Sequence, residues 1–410
     1  MAEHIRADLL IPGRGEPIER GVVVLDDRRV SYAGPADEAP PPTSVDRVTE
    51  VATVMPGLWD CHVHFVGTAT PDVERMLTEH PVTAAGRAVA DAAALVDGGV
   101  TSARDVGGLG LQLAPVFAEG RVVGPHVHAA GRILSTTGGH GDVHRFPLDC
   151  VHTMSEATGF SALCDGVPEV LRAVRMNLRS NAKLIKICAS GGVMSEVDHP
   201  IHQQFSDEEL SAIVAEAGRA ERIVAAHCHG KPGIMAALRA GCHTIEHGSY
   251  LDEEAADAMV ASGAMLVPTR FVIDNLLRHE DTMPPYAYTK LQMVAGEHEQ
   301  AMKIAIAKGV RIAAGCDIFV SGATYGRAGE EIRLLHEAGL PILDAIEAAT
   351  ANGPETLGPQ APRSGQLQLG FDADVIALDA SPLDDPSIFG VPEHVTHVWK
   401  AAELVKQPAT

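Results

Sequence analysis

Between residues 53 and 316, short apolar runs recur, and each is followed by a longer stretch with helix-like patterning or by a loop. We expect strands over 53–60, 101–106, 126–131, 183–189, 223–228, 243–247, 264–268 and 311–316. Helix starts stand between them. Ser206-Asp207-Glu208-Glu209-Leu210 pairs a capping serine with an acidic first turn, and Asp252-Glu253-Glu254 does the same with an aspartate. Strand followed by helix, repeated eight times, predicts an α/β chain whose parallel strands close into a (β/α)8 TIM barrel rather than an open sheet.

The two chain ends carry a different pattern. Residues 5–54 read as short strands separated by turns, with Pro35 to Pro42 as a loop. Gly370-Phe371-Asp372-Ala373-Asp374-Val375 is a turn entering a strand, and His394 to Lys400 forms another strand candidate. We expect the ends, 1–55 and 360–410, to combine into one small β-sandwich domain beside a barrel spanning 56–359. A chain of 410 residues is long enough for both, since the barrel alone takes about 250. The connection over 132–166 is long and rich in Gly, His and Ser, which suggests a lid. Residues 270–295 form a second candidate loop over the pocket.

Composition narrows the function. A net charge of −22 argues against a nucleic-acid partner, which would call for a basic face. No apolar run is long enough to cross a membrane, and the N-terminus lacks the basic and apolar regions of a signal peptide. Seven scattered cysteines with no CxxC pair do not form a disulfide framework. These features predict a cytoplasmic enzyme acting on a small-molecule substrate, and a homo-oligomer is expected.

Active sites of such barrels lie at the C-terminal ends of the strands. Strand one ends in His62-Val63-His64, whose imidazoles share one face of an extended chain. Strand four carries Lys186, strand five ends in His227-Cys228-His229, strand six in Glu246-His247, and strand eight in Cys316-Asp317. Imidazole and carboxylate suit zinc and its neighbours. Lys186, among Ile185, Ile187 and Cys188, is expected to be desolvated with a lowered pKa. A neutral amine there reacts with CO2 to give a carbamate, an anionic ligand able to bridge two metals. Cys188 shares the inward parity of Lys186. Cys61, Cys228 and Cys316 are expected to face the helices, and Glu246 to point away from His247 in a structural role.

This set, with Pro56-Gly57-Leu58-Trp59-Asp60-Cys61-His62-Val63-His64, Thr101-Ser102-Ala103-Arg104-Asp105 and the Gly370–Val375 turn, resembles the amidohydrolase superfamily over nearly the whole chain. Ser135 to Asp142 and Ile185 to Val193 are similar to its binuclear branch of Xaa-Pro dipeptidases and metal-dependent carboxypeptidases. The resemblance implies two divalent metal ions, zinc by expectation. The first would be held by His62, His64 and Asp317 and the second by His227 and His247, with carboxylated Lys186 between them. It implies cleavage of an amide bond in a dipeptide or N-acyl amino acid by a metal-bridging hydroxide. Asp317 would be general base then acid, and His140 would polarise the scissile carbonyl. His229 is expected to touch substrate, and Arg145, Lys231 and Arg270 are candidates to bind a substrate carboxylate. The alternatives are a mononuclear deaminase or cyclic-amide hydrolase of imidazolonepropionase type, a hydrolase of a non-peptide amide, carbamate or ester, and a non-catalytic assembly protein.

Overall fold

The computed structural model describes residues 2–408. Along the chain come β1 (Glu3–Leu10), β2 (Ile18–Asp26), β3 (Arg29–Pro35) and β4 (Arg47–Pro56). The central region follows with β5 (Leu58–Thr68), α1 (Val73–Thr78), α2 (Pro81–Asp97), β6 (Val100–Asp105), α3 (Gly110–Ala118) and β7 (His126–Ala129). Next are β8 (Ile133–Ser135), α4 (Leu148–Thr158), β9 (Ser161–Leu163), α5 (Gly166–Arg179), β10 (Ile185–Cys188) and α6 (Asp207–Arg219). Then come β11 (Val224–Cys228), α7 (Lys231–Ala240), β12 (Thr244–His247), α8 (Glu253–Ser262), β13 (Met265–Val267), α9 (Arg270–Leu277) and α10 (Pro285–Lys308). The chain closes with β14 (Ile318–Val320), α11 (Glu330–Glu337), α12 (Ile342–Ala348), β15 (Val375–Leu378), β16 (Val395–Lys400) and β17 (Glu403–Lys406).

The chain ends do pair. β15 runs antiparallel to β4, with Val375 opposite Pro56 and Leu378 opposite Thr53. The result is one seven-stranded sheet, β17-β16-β15-β4-β1-β2-β3, where the sequence led us to expect two facing layers. Alternation along these strands puts Ile5, Val23, Val54, Val375 and Trp399 into a shared apolar cluster.

The central strands form two parallel sheets, β14-β5-β6-β7 and β13-β12-β11-β10-β8-β9. Backbone hydrogen bonds tie the two together at both seams. Lys183 N donates to Ala129 O at 2.9 Å beside β7, and on the other side the 311–316 segment joins the sheets, Cys61 N donating to Ala314 O and Ala313 N donating to Leu266 O, each at 2.9 Å. One apolar cluster draws Trp59, Cys61, Val106, Leu184, Ala225 and Val267 from both sheets. A second cluster joins the opposite parity, including Ile185, Ile187, Ala226 and Ile245, to helix residues such as Leu95, Ile213 and Ile234. Cys228 and Cys316 lie in that outer layer as expected, but Cys61 faces inward. A register shift in β5 between Asp60 and Val63 breaks the strand's parity there.

Three other expectations change. The 132–166 connection is not a bare loop, because it contains β8, α4 and β9. Gly131, at a φ of +76°, interrupts the third strand, so β7 pairs with β6 while β8 pairs with β10. Residues 270–295 are mostly helical. Ile273, Leu276, Ala287, Leu291 and Val294 recur at helical spacing and pack with Val193, and Pro285 opens α10 at its first turn. The 311–316 segment is held by a bridge between Ile312 and Leu266, and the strand proper lies further on as β14. Both predicted helix starts are present. Ser206 and Glu209 form a reciprocal capping box, and Asp252 caps Ala255 N at 3.0 Å. Among the described residues no helix is long and apolar enough to cross a membrane.

Candidate metal centre

The ends of β5, β11 and β12 and the turn before β14 bring two groups of ligand-type side chains together. His62, His64 and Asp317 offer ligand atoms within 4.8 Å of one another, and so do His227, His229 and His247. His62 Nε2 and His64 Nε2 stand 3.5 and 3.3 Å from Asp317 Oδ1. Lys186 Nζ lies 3.5 Å from His62 Nε2. The rings of His62 and His247 are 5.0 Å apart, so the groups adjoin.

Every histidine of the two groups engages an oxygen outside its group through one ring nitrogen. His62 Nδ1 meets Glu246 Oε2 at 2.7 Å, and His64 Nδ1 meets Gly107 O at 2.8 Å. His227 Nε2 meets Gly191 O at 3.1 Å, His229 Nδ1 meets Ser249 Oγ at 2.7 Å, and His247 Nδ1 meets Thr269 Oγ1 at 2.7 Å. For His62, His64 and His227 that oxygen is a carboxylate or carbonyl, which only accepts; it fixes the tautomer and leaves a lone pair on the other nitrogen, as metal-binding histidines require. Burial lowers the basicity of all four histidines at the floor. His62 falls to about 4 and His229 to about 3, while His227 and His247 lie well below the usual imidazole value. They are neutral donors, and the donor set fits divalent metal ions.

Burial also lowers the Lys186 amine, against the opposing pull of Glu246, Cys188 and Asp317. Cys188 does share the pocket with Lys186, but burial pushes its thiol up to about 12. Asp317 is held below the usual carboxylate range. Burial would raise it, but His62, His64 and Lys186 outweigh that.

Glu246 does more than the sequence suggested. Both its oxygens lie 2.7 Å from Arg104 Nη2, and it orients His62 as well. Burial would raise its pKa, but Arg104 and His62 hold it well below the ordinary carboxylate range. Arg104 also donates to Cys61 O at 2.5 Å and Thr244 Oγ1 at 3.2 Å. Glu246 and His247 are neighbours, yet both serve the centre, because His247 leaves the strand at a φ of +67°. Asp317 and Thr269 adopt the same left-handed region at +56° and +55°.

The cavity over these groups has two chambers of about 90 and 100 Å³ that share His64, His140, Met194, Asp317 and Phe319. One wall holds Val272, Ile273, Leu276 and Leu291, and the other holds Val66, Met76, Val143 and Phe160. Larger cavities exist, such as one of about 320 Å³ around His126 and Asp374, but they lack this convergence of ligands. The ring of His140 stacks on that of His227 at 4.3 Å.

None of the three proposed carboxylate binders lines the cavity. The side chain of Arg145 is 61% exposed and pairs with Glu74 and Glu196. Lys231 is taken by Asp252 and Glu254. Arg270 turns toward His298, 3.3 Å away. The sequence reading also passed over Ser195, Asp198 and Lys290, which surround His140 and the 191–198 turn. The run of Ser, Asp and Pro that follows strand four is the one signal that marked a built turn there.

Comparison with known proteins now bears on this geometry. Residues 53–405 match the model of the amidohydrolase family. The chain is 44% identical to the ochratoxinase of Aspergillus niger over 98% of its own length and 86% of the relative's. The crystal structure of A. niger ochratoxinase superposes with a TM-score of 0.93 at 42% identity, covering 100% of this chain and 96% of that one. A prolidase complexed with N-methylphosphonate-L-proline gives a TM-score of 0.90 at 32% identity, with both chains fully covered.

The Arg104–Glu246 pair makes a testable prediction. Arg104→Met leaves a buried carboxylate without its counter-ion and is expected to destabilise the fold by about 3–5 kcal/mol. Urea unfolding followed by circular dichroism measures this, and a loss under about 1 kcal/mol would show that the pair is dispensable.

Proposed function

The chain belongs to the amidohydrolase family and is a hydrolase of amide bonds, and from that premise we propose a binuclear, metal-dependent amidohydrolase of dipeptides or N-acyl amino acids. The observation that carries the reading is the pair of adjoining ligand groups, the first of which meets Lys186 and Asp317. The two parallel sheets, bonded at both seams around a common apolar interior, support their closure into a (β/α)8 TIM barrel. On this reading 56–359 form the barrel, and 1–55 with 360–410 form the companion β domain.

In the proposed assignment His62, His64 and Asp317 hold one ion and His227 and His247 the other, with zinc the expected metal. His229 is the substrate-side member of its group. When bound, the ions supply Lewis acidity and an activated water. Lys186, were its neutral amine to add to CO2 with release of one proton, would as a carbamate supply the anionic ligand shared by the two ions. Asp317 takes a proton from the attacking water and returns it to the leaving amine, so that it ends the cycle ionised, as it began. His140 lines both chambers, on the side where the amide would lie.

Apolar walls on both sides of the centre favour a substrate with apolar groups on both sides of its scissile bond. Ochratoxin, the substrate implied by the name of one relative, belongs in any test panel with N-acyl amino acids and Xaa-Pro dipeptides.

Metal analysis by mass spectrometry is expected to give about two divalent ions per chain, with turnover on that panel. Asp317→Asn is expected to lower kcat by about 10²–10⁴-fold. One ion per chain with full activity, or an active Asp317→Asn enzyme, would sink the binuclear mechanism. For the walls, Phe160→Ala and Leu276→Ala are each expected to reduce kcat/KM for a bulky apolar substrate by about 10–200-fold. Turnover of a small N-acetyl amino acid should hold steady. Equal losses on both substrates would mean that these side chains support the fold rather than select the substrate.

A further inference from the structure

His140 is held from behind by a chain of hydrogen bonds that dictates where its protons are. Its Nδ1 lies 2.8 Å from Ser195 Oγ, and Ser195 Oγ in turn contacts Asp198 Oδ1. Asp198 Oδ2 accepts from Gly192 N and from Gln204 Nε2, each at 3.0 Å. The orientation of Gln204 is fixed independently, because its Oε1 must accept from His140 N at 3.1 Å. Lys290, from α10, places its ammonium 3.3 Å from Asp198 Oδ1 and bonds Ser195 O at 2.7 Å and Gly192 O at 3.3 Å. Every neighbour of Asp198 is thus a donor or a cation, the setting of an ionised carboxylate. Burial pushes its pKa up, but His140, Ser195 and Lys290 more than offset that.

A serine hydroxyl has one hydrogen. An ionised carboxylate only accepts, so the Ser195 hydrogen points to Asp198. Ser195 Oγ must then accept from His140, which requires a hydrogen on Nδ1. We infer that Asp198, acting through Ser195, is a positioning group that fixes His140 as its Nδ1–H tautomer and presents Nε2 to the substrate as an acceptor. Nε2 has no hydrogen-bond partner among the described residues, and His140 lines both chambers. The ring has no room to turn away, since it stacks on His227 and a side chain at Gly192 would meet its Cε1 at 2.1 Å.

The consequence reverses the role the sequence suggested for His140. In that tautomer Nε2 carries no hydrogen to donate to a scissile carbonyl and is a hydrogen-bond acceptor. This catalytic consequence rests on the amide-hydrolase reading above, whereas the tautomer itself does not.

Nitrogen-15 NMR of the zinc-loaded, histidine-labelled enzyme separates the two. The His140 resonances are those absent from His140→Gln. In the wild type we expect a pyrrole-type Nδ1 and a pyridine-type Nε2. Asp198→Asn turns an NH2 donor toward Ser195, since Gly192 N and Gln204 hold the other side as an acceptor. The serine hydrogen then points to His140, and Nε2 becomes the protonated nitrogen. Ser195→Thr keeps the wild-type pattern, and Ser195→Ala loses the bias. Asp198→Asn and Ser195→Ala should lower kcat by at least about tenfold with KM little changed, while Ser195→Thr retains activity. Metal content and melting temperature, measured on each variant, identify any that fails to fold, and Ser195→Ala then carries the test. A protonated Nε2 in the wild type, or a tautomer indifferent to both substitutions, would overturn the inference. An enzyme with the expected tautomer but no amidase activity would instead overturn the proposed function.

Discussion

The pairing of Arg104 with Glu246 inside the sheets is the constraint from which the centre follows. A guanidinium with no access to water needs acceptors on all sides, and it finds them in Glu246, Cys61 O and Thr244. It thereby ties β6 to β5 and β12 at the floor of the site. The carboxylate of Glu246 also accepts from Thr244 Oγ1 and meets His62 Nδ1, and the latter contact turns His62 Nε2 toward Lys186 and Asp317. Buried ion pairs are weak sources of net stability, since desolvation consumes much of the attraction. What this pair provides is direction, because three strands and one ligand are aligned by a single set of hydrogen bonds.

Direction also has a conformational cost, paid at the strand ends. A strand sends successive side chains to opposite faces, so Glu246 and His247 cannot both serve one cavity in regular geometry. His247 escapes by taking a positive φ, and Thr269 and Asp317 do the same at the ends of the next two strands. Each such residue costs of order 1–3 kcal/mol unless its surroundings hold it. The hydrogen bond from His247 to Thr269 joins two of the three, so the strained residues brace one another. β5 meets the same problem by a register shift, which lets Cys61 and His62 both face inward.

These local breaks explain what was legible in the sequence. Ligand types at the ends of successive strands could be read from residue identity and chain order alone, because neither depends on parity. The pairing of the two chain ends was legible for the same reason, since turn residues and short apolar runs announce strands whatever their partners. Arguments from alternation failed wherever the strand stopped being regular, as they did for Glu246 and Cys61. The helices α9 and α10 escaped notice because the charged turn from Arg278 to Asp281 and the Pro284-Pro285 pair masked the apolar spacing on either side. The carboxylate binders were chosen by proximity to strand ends. That criterion cannot see that Arg145, Lys231 and Arg270 find partners on neighbouring elements instead.

Because those three cations are engaged elsewhere, Lys186 is the sole lysine among the described residues to line the two chambers, and no described arginine joins it. Recognition then falls to apolar walls and to the centre itself. Apolar walls discriminate gently, since one methylene is worth about 1–3 kcal/mol. They disfavour a charge placed directly against Leu276, Phe160 and Val272, where it would lose its hydration and gain no partner, so the carboxylate of an N-acyl amino acid would have to lie away from these side chains. On the proposed function the centre chooses the bond to be broken, and the apolar flanks act on the groups to either side of it. Most of those flanking side chains come from α9, α10 and the 132–166 connection, the segments whose structure was hardest to read from the sequence.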